Sequence, residues 1–258
     1  MKLHKYIKDF DKYFLRFFFK FPLTITITSY LRFIYFYYVK RNFKVLYNNE
    51  NLPDHIGKSK LHGDNAIEHN IDYIKSLFNF KKIYNKFNGK RTDIPIYPLR
   101  ALYNLKFSEM NVLSIGPRVE SEIFKLISLG FDYKKIKSID IQTYSNLIKL
   151  GDMINIPFKD DSFDLIVVGW VLTYTNNPKK CIEEIIRVSK KGCLVSMCHS
   201  HSKNKNQVYS SEDLNSSEKI ISFFNQNSNK VIFNYHPFDD DFNGDLYGKS
   251  NLLIQITK

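Results

Sequence analysis

The sequence predicts an α/β fold with a mostly parallel β-sheet and helices on both of its faces. Apolar runs at residues 112–115, 136–141, 163–169 and 193–197 have the length and composition of buried strands. The run from Phe163 to Gly169 is unbroken, which is typical of a strand covered on both faces. Helical patterns and turns alternate with these runs, in the order that a parallel sheet requires.

The composition allows a sizeable core and leaves the partner open. With 258 residues, of which 43% are hydrophobic and 25% charged, the chain suits one α/β domain with an appendage and excludes wholesale disorder. The net charge of +12 favours an anionic partner such as a membrane surface, a nucleic acid or an acidic substrate. A general compositional bias toward Lys, Asn, Ile, Phe and Tyr would explain the same excess. Much of the positive charge precedes residue 45, and this clustering favours a functional role.

Residues 1–60 are predicted to form a basic, aromatic extension of a domain that covers residues 61–258. The run from Phe21 to Val39 approaches the length that crosses a bilayer, about 20 residues, but it contains Arg32. Three interpretations are open: packing against the main domain, binding in a membrane interface through residues 1–45, or a true span. An ordinary secretory signal is not indicated, because the apolar stretch starts late and no clear cleavage site follows it.

Periodicity and punctuation predict the remaining elements in order. Before the sheet they are a short strand at Thr24–Thr28, a polar connector at 51–65, an amphipathic helix at Ala66–Phe87, a proline-marked loop at 92–98 and a short helix at Leu99–Leu105. Within the core they are a helix at Glu120–Leu129, a brief third strand at Leu147–Leu150 and a helix at Asn177–Lys190. In the tail they are a helix at Ser211–Asn225 capped by Ser211, and strands at Val231–His236 and Leu252–Thr257.

The segment PFKDDSFDLIVVGW, residues 157–170, closely resembles class I S-adenosylmethionine-dependent methyltransferases. The resemblance covers residues 108–198 well and the tail more loosely. It implies a Rossmann-like sheet in which the last strand runs antiparallel, and S-adenosylmethionine as the cofactor. It also implies methyl transfer to an oxygen or a nitrogen atom.

The loop after the first strand departs from that family. The family has an acidic residue before its first glycine and further glycines at every second position, whereas this chain reads Ser114 and then GPRVE at residues 116–120. Gly116 is kept, while Arg118 and Glu120 replace the later glycines.

Two interpretations of the altered loop are open. In the first, Arg118 pairs with the cofactor's carboxylate and Glu120 or Glu122 with its ammonium group. In the second, the pocket is closed. The first turn of a helix favours acidic side chains in any case, which alone accounts for Glu122.

Two acidic residues at strand ends are candidates for the adenosyl group. Asp140 follows the second strand, and its spacing from Gly116 suits a carboxylate that accepts hydrogen bonds from ribose hydroxyls. Asp140 could equally cap a turn. By resemblance, Asp152 contacts the adenine amino group and Met153 lines the ring.

The fourth and fifth strands supply the last site candidates. By resemblance, Gly169 and Trp170 pass beside the cofactor, and Tyr174 could face the acceptor. His199 is the candidate general base for a hydroxyl or amine acceptor, although a solvated loop histidine fits the pattern as well. No third ligand accompanies it for a metal site.

The three cysteines, Cys181, Cys193 and Cys198, fit neither a zinc site nor a disulfide framework, and they are expected to be small buried residues.

The sequence thus predicts an S-adenosylmethionine-dependent methyltransferase with a small or glycan-like acceptor. The alternative is a non-catalytic binding or scaffold protein that keeps the fold. A nucleic-acid acceptor suits the charge, but no Asn/Asp-Pro-Pro-Tyr block follows the fourth strand. The expected location is the cytoplasm, with possible attachment to the inner face of the membrane, and the oligomeric state is left open.

Overall fold

A computed structural model describes residues 11–48, 51–57, 65–79, 83–88, 93–102, 105–202, 214, 216–224, 229–235 and 247–258. Its strands are β1 Lys44–Val45, β2 Val112–Ile115, β3 Ile136–Asp140, β4 Gln142–Thr143, β5 Lys149–Leu150, β6 Phe163–Gly169, β7 Ser189–Ser202, β8 Asn229–Tyr235 and β9 Tyr247–Ile256. Its helices are α1 (residues 11–18), α2 Pro22–Ile34, α3 Ala66–Ser76, α4 Ile83–Asn88, α5 Tyr97–Arg100, α6 Ser121–Leu129, α7 Pro178–Val188 and α8 Ser217–Phe223.

Seven strands form one sheet in the order β5-β3-β2-β6-β7-β9-β8. The pairs β2–β3, β2–β6, β3–β5 and β6–β7 are parallel, whereas β9 is antiparallel to both β7 and β8. The predicted fold class, a mostly parallel Rossmann-like sheet with an antiparallel last strand, is therefore confirmed. From β2, the chain adds β3 and then β5 on one side, and it then crosses the sheet to add β6 on the other side of β2. The carboxyl ends of β2, β3 and β6 therefore flank the point at which strand order reverses, where open α/β sheets bind ligands.

Burial explains why the core strands and helices form where they do. All four residues of β2 are buried, as are six of the seven residues of β6, so both strands are covered on both faces. Helix α7 begins at Pro178, because the side chain of Asn177 accepts a hydrogen bond from the Lys180 amide and proline suits the first helical turn. Its buried face packs on the sheet through Cys181, Ile182, Ile185 and Val188.

Two predictions about the first half of the chain are wrong. Residues Thr24–Thr28 are helical, within α2, because Pro22 occupies the first turn and Ile25, Ser29 and Phe33 form a buried stripe at helical spacing. The alternation of threonine and isoleucine therefore does not reflect a strand. The single helix predicted at Ala66–Phe87 is two helices, α3 and α4, of which α3 begins at a capping box formed by Asn65 and Glu68.

Other boundaries shift by a few residues. The short helix before the sheet begins at Tyr97 rather than Leu99. Strand β7 extends to Ser202, so that residues 198–201 are strand and not loop. Helix α8 is capped by Ser216. The predicted cap Ser211 and the loop after His236 lie outside the described residues.

Helices α1 and α2 pack on the sheet domain through aromatic side chains. The ring of Phe19 stacks on that of Phe124 in α6, with 4.4 Å between centroids and 6° between planes. Phe33 lies edge-on to Tyr144, 5.1 Å away, and both side chains are fully buried. The described part of the N-terminal segment is therefore attached to the domain by core contacts.

An ion pair joins α2 to the loop after β2. Arg32 donates from Nε to Glu120 Oε2 at 2.6 Å and from Nη2 to Glu120 Oε1 at 2.9 Å. Glu120 is fully buried, and it also accepts a hydrogen bond from the Ser145 hydroxyl. Arg32 Nη2 further donates to the Asn146 side chain at 2.7 Å.

Replacing Arg32 with alanine is expected to lower the free energy of unfolding by about 3 kcal/mol, because it leaves the buried Glu120 carboxylate without its counter-ion. Urea unfolding measures this loss. Lys75→Ala is the control, since the Lys75–Asp72 pair is solvent-exposed on both sides and contributes at most about 0.5 kcal/mol. Equal effects of the two substitutions would contradict a structural role for the Arg32–Glu120 pair.

Candidate functional site

A cavity lies at the carboxyl ends of β2, β3 and β5. Its atom-free space is about 600 Å³ when the open mouth is counted. The lining residues come from the strand ends, from the loop after β6 and from the segments before α3 and within it: His55, Ile56, Ala66, Asn70, Ile115, Gly116, Arg118, Ile139, Asp140, Ile141, Gly151, Asp152, Met153, Val171, Tyr174 and Thr175.

Asp140 lies at the end of β3 and is buried. Its Oδ2 accepts a hydrogen bond from the Arg118 amide at 3.1 Å, and its Oδ1 accepts one from the Gln142 amide at 3.3 Å. Burial raises the pKa of the Asp140 carboxyl to about 6, although these two amide donors and the Arg118 charge act in the opposite direction. The carboxyl therefore titrates near neutral pH and holds the loop after β2 against the end of β3.

Asp152 follows β5 and is buried beneath two side chains from the segment before α3. Its Oδ2 accepts a hydrogen bond from the Tyr47 hydroxyl at 2.6 Å and lies 2.6 Å from His55 Nε2. Its Oδ1 accepts one from the Ile154 amide at 3.0 Å. Burial, followed by the hydrogen bond to Asp152, raises the pKa of Tyr47 well above its ordinary value.

The loop after β2 is tightly packed against Val171. Gly116 has a φ of +71°, and a Cβ atom placed on it would lie 2.1 Å from Val171 Cγ1. This position therefore requires glycine both for its backbone conformation and for its lack of a side chain. Arg118 also has a positive φ, and its guanidinium lies over the Tyr73 ring, 4.5 Å from the centroid.

The structure brings five of the predicted site residues to the cavity and leaves the others outside it. Those at the cavity are Gly116, Arg118, Asp140, Asp152 and Met153. Tyr174, the suggested acceptor contact, also lines it.

Four predicted site residues do not line the cavity, and each contacts other parts of the fold. Glu120 faces Arg32 and Ser145. Gly169 lies against α6, because a Cβ atom placed on it would be 3.3 Å from Glu122 Oε2. Trp170 is buried with a φ of +61°. His199 is buried within β7, opposite Ser250 of β9, and not on a solvated loop.

Sequence reasoning missed Tyr47 and His55. Tyr47 reaches the site because β1 pairs antiparallel with β4 and the Leu46 amide donates to the Ile141 carbonyl at 2.7 Å. His55 reaches it because Ile56 forms an isolated β-bridge with Thr175. The contacts of Tyr47 and His55 with Asp152 join positions about a hundred residues apart, and no local sequence pattern predicts them.

The cysteines are buried, as expected, and none is paired in a disulfide. Burial raises the pKa of the Cys181 and Cys193 thiols to about 12, so both are protonated at neutral pH. Within the described residues, no cluster of three or more His, Cys, Asp or Glu side chains is arranged to hold a metal ion.

Comparisons with known proteins agree with this fold. A family model described as a methyltransferase domain matches residues 129–197. An uncharacterized protein of Methanocaldococcus jannaschii is 38% identical over 68 residues, which cover 26% of this chain and 32% of that protein. A demethylmenaquinone methyltransferase of Desulfitobacterium hafniense is 44% identical over 54 residues, which cover 20% of this chain and 21% of that enzyme. The chain thus spans about a third and about a fifth of these two curated relatives.

Among solved structures, the chain is similar to the 1,6-didemethyltoxoflavin-N1-methyltransferase of Burkholderia thailandensis, solved with bound 1,6-didemethyltoxoflavin and S-adenosylhomocysteine. The TM-score is 0.52 at 10% identity, and the alignment covers 75% of this chain and 89% of that chain. At this identity the likeness concerns the fold. Together with the domain match, it confirms the predicted resemblance to class I methyltransferases.

The pKa of Asp140 leads to a prediction about stability. The folded protein holds this proton more tightly than the unfolded chain, in which the carboxyl titrates near 3.8. The free energy of unfolding contributed by Asp140 therefore decreases as pH rises from about 4 to about 6, by roughly 3 kcal/mol in all.

Urea unfolding of the wild type and of Asp140→Asn across this pH range isolates the effect, because the other groups cancel in the difference. We expect the wild type to lose stability relative to the variant as pH rises. Parallel curves would show that the Asp140 pKa is not raised.

Proposed function

We propose that this chain binds S-adenosylmethionine and transfers its methyl group to an oxygen or a nitrogen atom of a small or glycan-like acceptor. The observation that carries the proposal is that Asp140, Asp152 and Met153 line one cavity at the carboxyl ends of neighbouring parallel strands. The class I resemblance assigns these positions to the ribose and the adenine. The methyltransferase domain match supports the same cofactor.

The lining suits the adenosyl group. The Asp140 carboxylate would accept hydrogen bonds from ribose hydroxyls, and the Asp152 carboxylate would accept one from the adenine amino group. Ile115, Ile139, Ile141 and Met153 supply apolar walls for the base. Two groups of neighbours border these positions: the Tyr47–His55 cap on Asp152, and Val171 beside Gly116. We expect the adenine amino group to displace the cap from Asp152 Oδ2 on binding.

When bound, the cofactor would supply an electrophilic methyl group on its sulfonium sulfur, and an acceptor that takes this group would lose a proton to a base or to solvent. The protein contributes positioning and exclusion of water. His55 lines the cavity at the Asp152 end, whereas the predicted base His199 is buried within β7. Asn70, Tyr174 and Thr175 add polar contacts for a hydroxyl- or amine-bearing acceptor.

A non-catalytic binding protein with the same fold is the second candidate. The contact between Val171 and Gly116 favours it, because this contact fills space beside the loop that approaches the methionine part of the cofactor in the family.

Calorimetric titration with S-adenosylhomocysteine separates the two functions. Methyl transfer predicts micromolar binding that is lost in Asp140→Ala and kept in Asp72→Ala, where the carboxylate is on the exposed surface of α3. A folded wild-type sample that shows no heat of binding at millimolar ligand would support the non-catalytic function instead.

The cap on Asp152 leads to a further prediction. Tyr47→Phe removes the hydroxyl that competes for Asp152 Oδ2, and is expected to tighten S-adenosylhomocysteine binding about threefold to tenfold. The control is Tyr84→Phe on α4, where an exposed ring loses the same atom. Weaker binding in Tyr47→Phe than in Tyr84→Phe would indicate that the Tyr47 hydroxyl contacts the ligand and does not exclude it.

A further inference from the structure

The two N-terminal helices expose more large apolar side chains than any other part of the described chain. Ten such residues lie between positions 13 and 39, and they are named here as the apolar stripe: Tyr13, Phe14, Phe17, Phe21, Leu23, Ile27, Leu31, Tyr35, Tyr38 and Val39. Monomeric soluble proteins seldom expose contiguous apolar patches beyond a few hundred Å² without a binding function.

Helix α2 has two apolar faces, and only one of them is covered. Ile25, Ser29 and Phe33 are buried against the domain. On the other side, Leu23, Ile27 and Leu31 are 60%, 49% and 62% exposed, and the spacing of four residues places them on one face. The stripe continues into the π-helical turn Tyr35–Val39.

Positive charge surrounds the apolar stripe. Between residues 11 and 49 the sequence contains seven Lys or Arg residues and one acidic residue, Asp11; of the seven, Lys12 and Arg32 are paired with Asp132 and Glu120. Arg16 and Lys20 are exposed next to the aromatic side chains of α1, and Lys40 and Arg41 are exposed at the end of the stripe. Apolar and aromatic side chains bordered by basic residues are the pattern of a segment that lies in the interface of an anionic membrane.

The contacts of α2 argue against a membrane span. Arg32 is held by the buried Glu120 carboxylate, and Phe33 packs on Tyr144, so the helix cannot leave the domain without breaking these contacts. Helix α2 has 13 residues, which corresponds to about 20 Å against a bilayer core of about 30 Å. In the described part of the chain, no helix is both long and apolar enough to cross a membrane.

We infer that the apolar stripe binds the surface of an anionic lipid bilayer, with α1 and α2 lying in the plane of the interface. A second copy of the chain is the competing occupant, but pairing two such surfaces would bring Lys20, Lys40 and Arg41 of both copies together. The inference does not depend on the proposed methyl transfer.

Flotation of the full chain with lipid vesicles tests this inference. The wild type is expected to float with phosphatidylcholine–phosphatidylglycerol vesicles at physiological ionic strength, and about tenfold less with pure phosphatidylcholine. The double substitution Ile27→Glu with Leu31→Glu should reduce binding to the anionic vesicles more than tenfold, that is by more than about 1.4 kcal/mol.

The matched control is Ile232→Glu with Phe233→Glu on β8, which changes the net charge equally at two exposed apolar positions outside the stripe. Circular dichroism establishes that both variants fold. Equal binding by the two double variants would overturn the inference, because net charge alone would then explain it. It would also be overturned by a wild type that fails to float and forms dimers that the stripe variant dissociates, as measured by light scattering.

Discussion

The ion pair between Arg32 and the buried Glu120 carboxylate joins the N-terminal helices to the loop that follows β2. Glu120 lies at the end of the loop that follows β2, where the resemblance to class I methyltransferases implies a glycine. Because a fully buried carboxylate needs a counter-ion, Glu120 requires a basic side chain from elsewhere, and α2 supplies it. The loop after β2 and the N-terminal helices therefore depend on each other for their packing.

The same segment that supplies Arg32 continues into the candidate site. After the π-helical turn, β1 pairs with β4, and the chain then places Tyr47 over Asp152. Residues outside the methyltransferase-like core therefore cover the Asp152 end of the cavity, and the loop amide of Arg118 is bound to Asp140 at the other end. The segment that supplies Arg32 to Glu120 thus also supplies Tyr47 to Asp152.

The sheet could be predicted from the sequence because strands buried on both faces leave unbroken apolar runs such as Phe163–Gly169. Asp140 could be placed at the site because the carboxyl ends of adjacent parallel strands lie at the same edge of a sheet, and Asp152 was placed there by the resemblance. The strand predicted at Thr24–Thr28 is wrong because five alternating residues are too few to distinguish a strand from a helix. The proline in the first turn and the contact of Phe33 with Tyr144 favour the helix. Glu120 and His199 were predicted as site residues because each follows a predicted strand. In the structure Glu120 is paired with Arg32 and His199 lies beside strand β9, and both partners are distant in sequence.

The exposed face of α2 follows from the same constraint. The buried carboxylate of Glu120 fixes which face turns inward, because Arg32 must point toward it, and Ile25, Ser29 and Phe33 follow at helical spacing. Leu23, Ile27 and Leu31 then face outward, on the same segment as the exposed basic side chains of Lys20, Lys40 and Arg41. The Arg32–Glu120 ion pair and the packing of Phe33 on Tyr144 thus orient α2 and determine which of its apolar side chains remain on the surface.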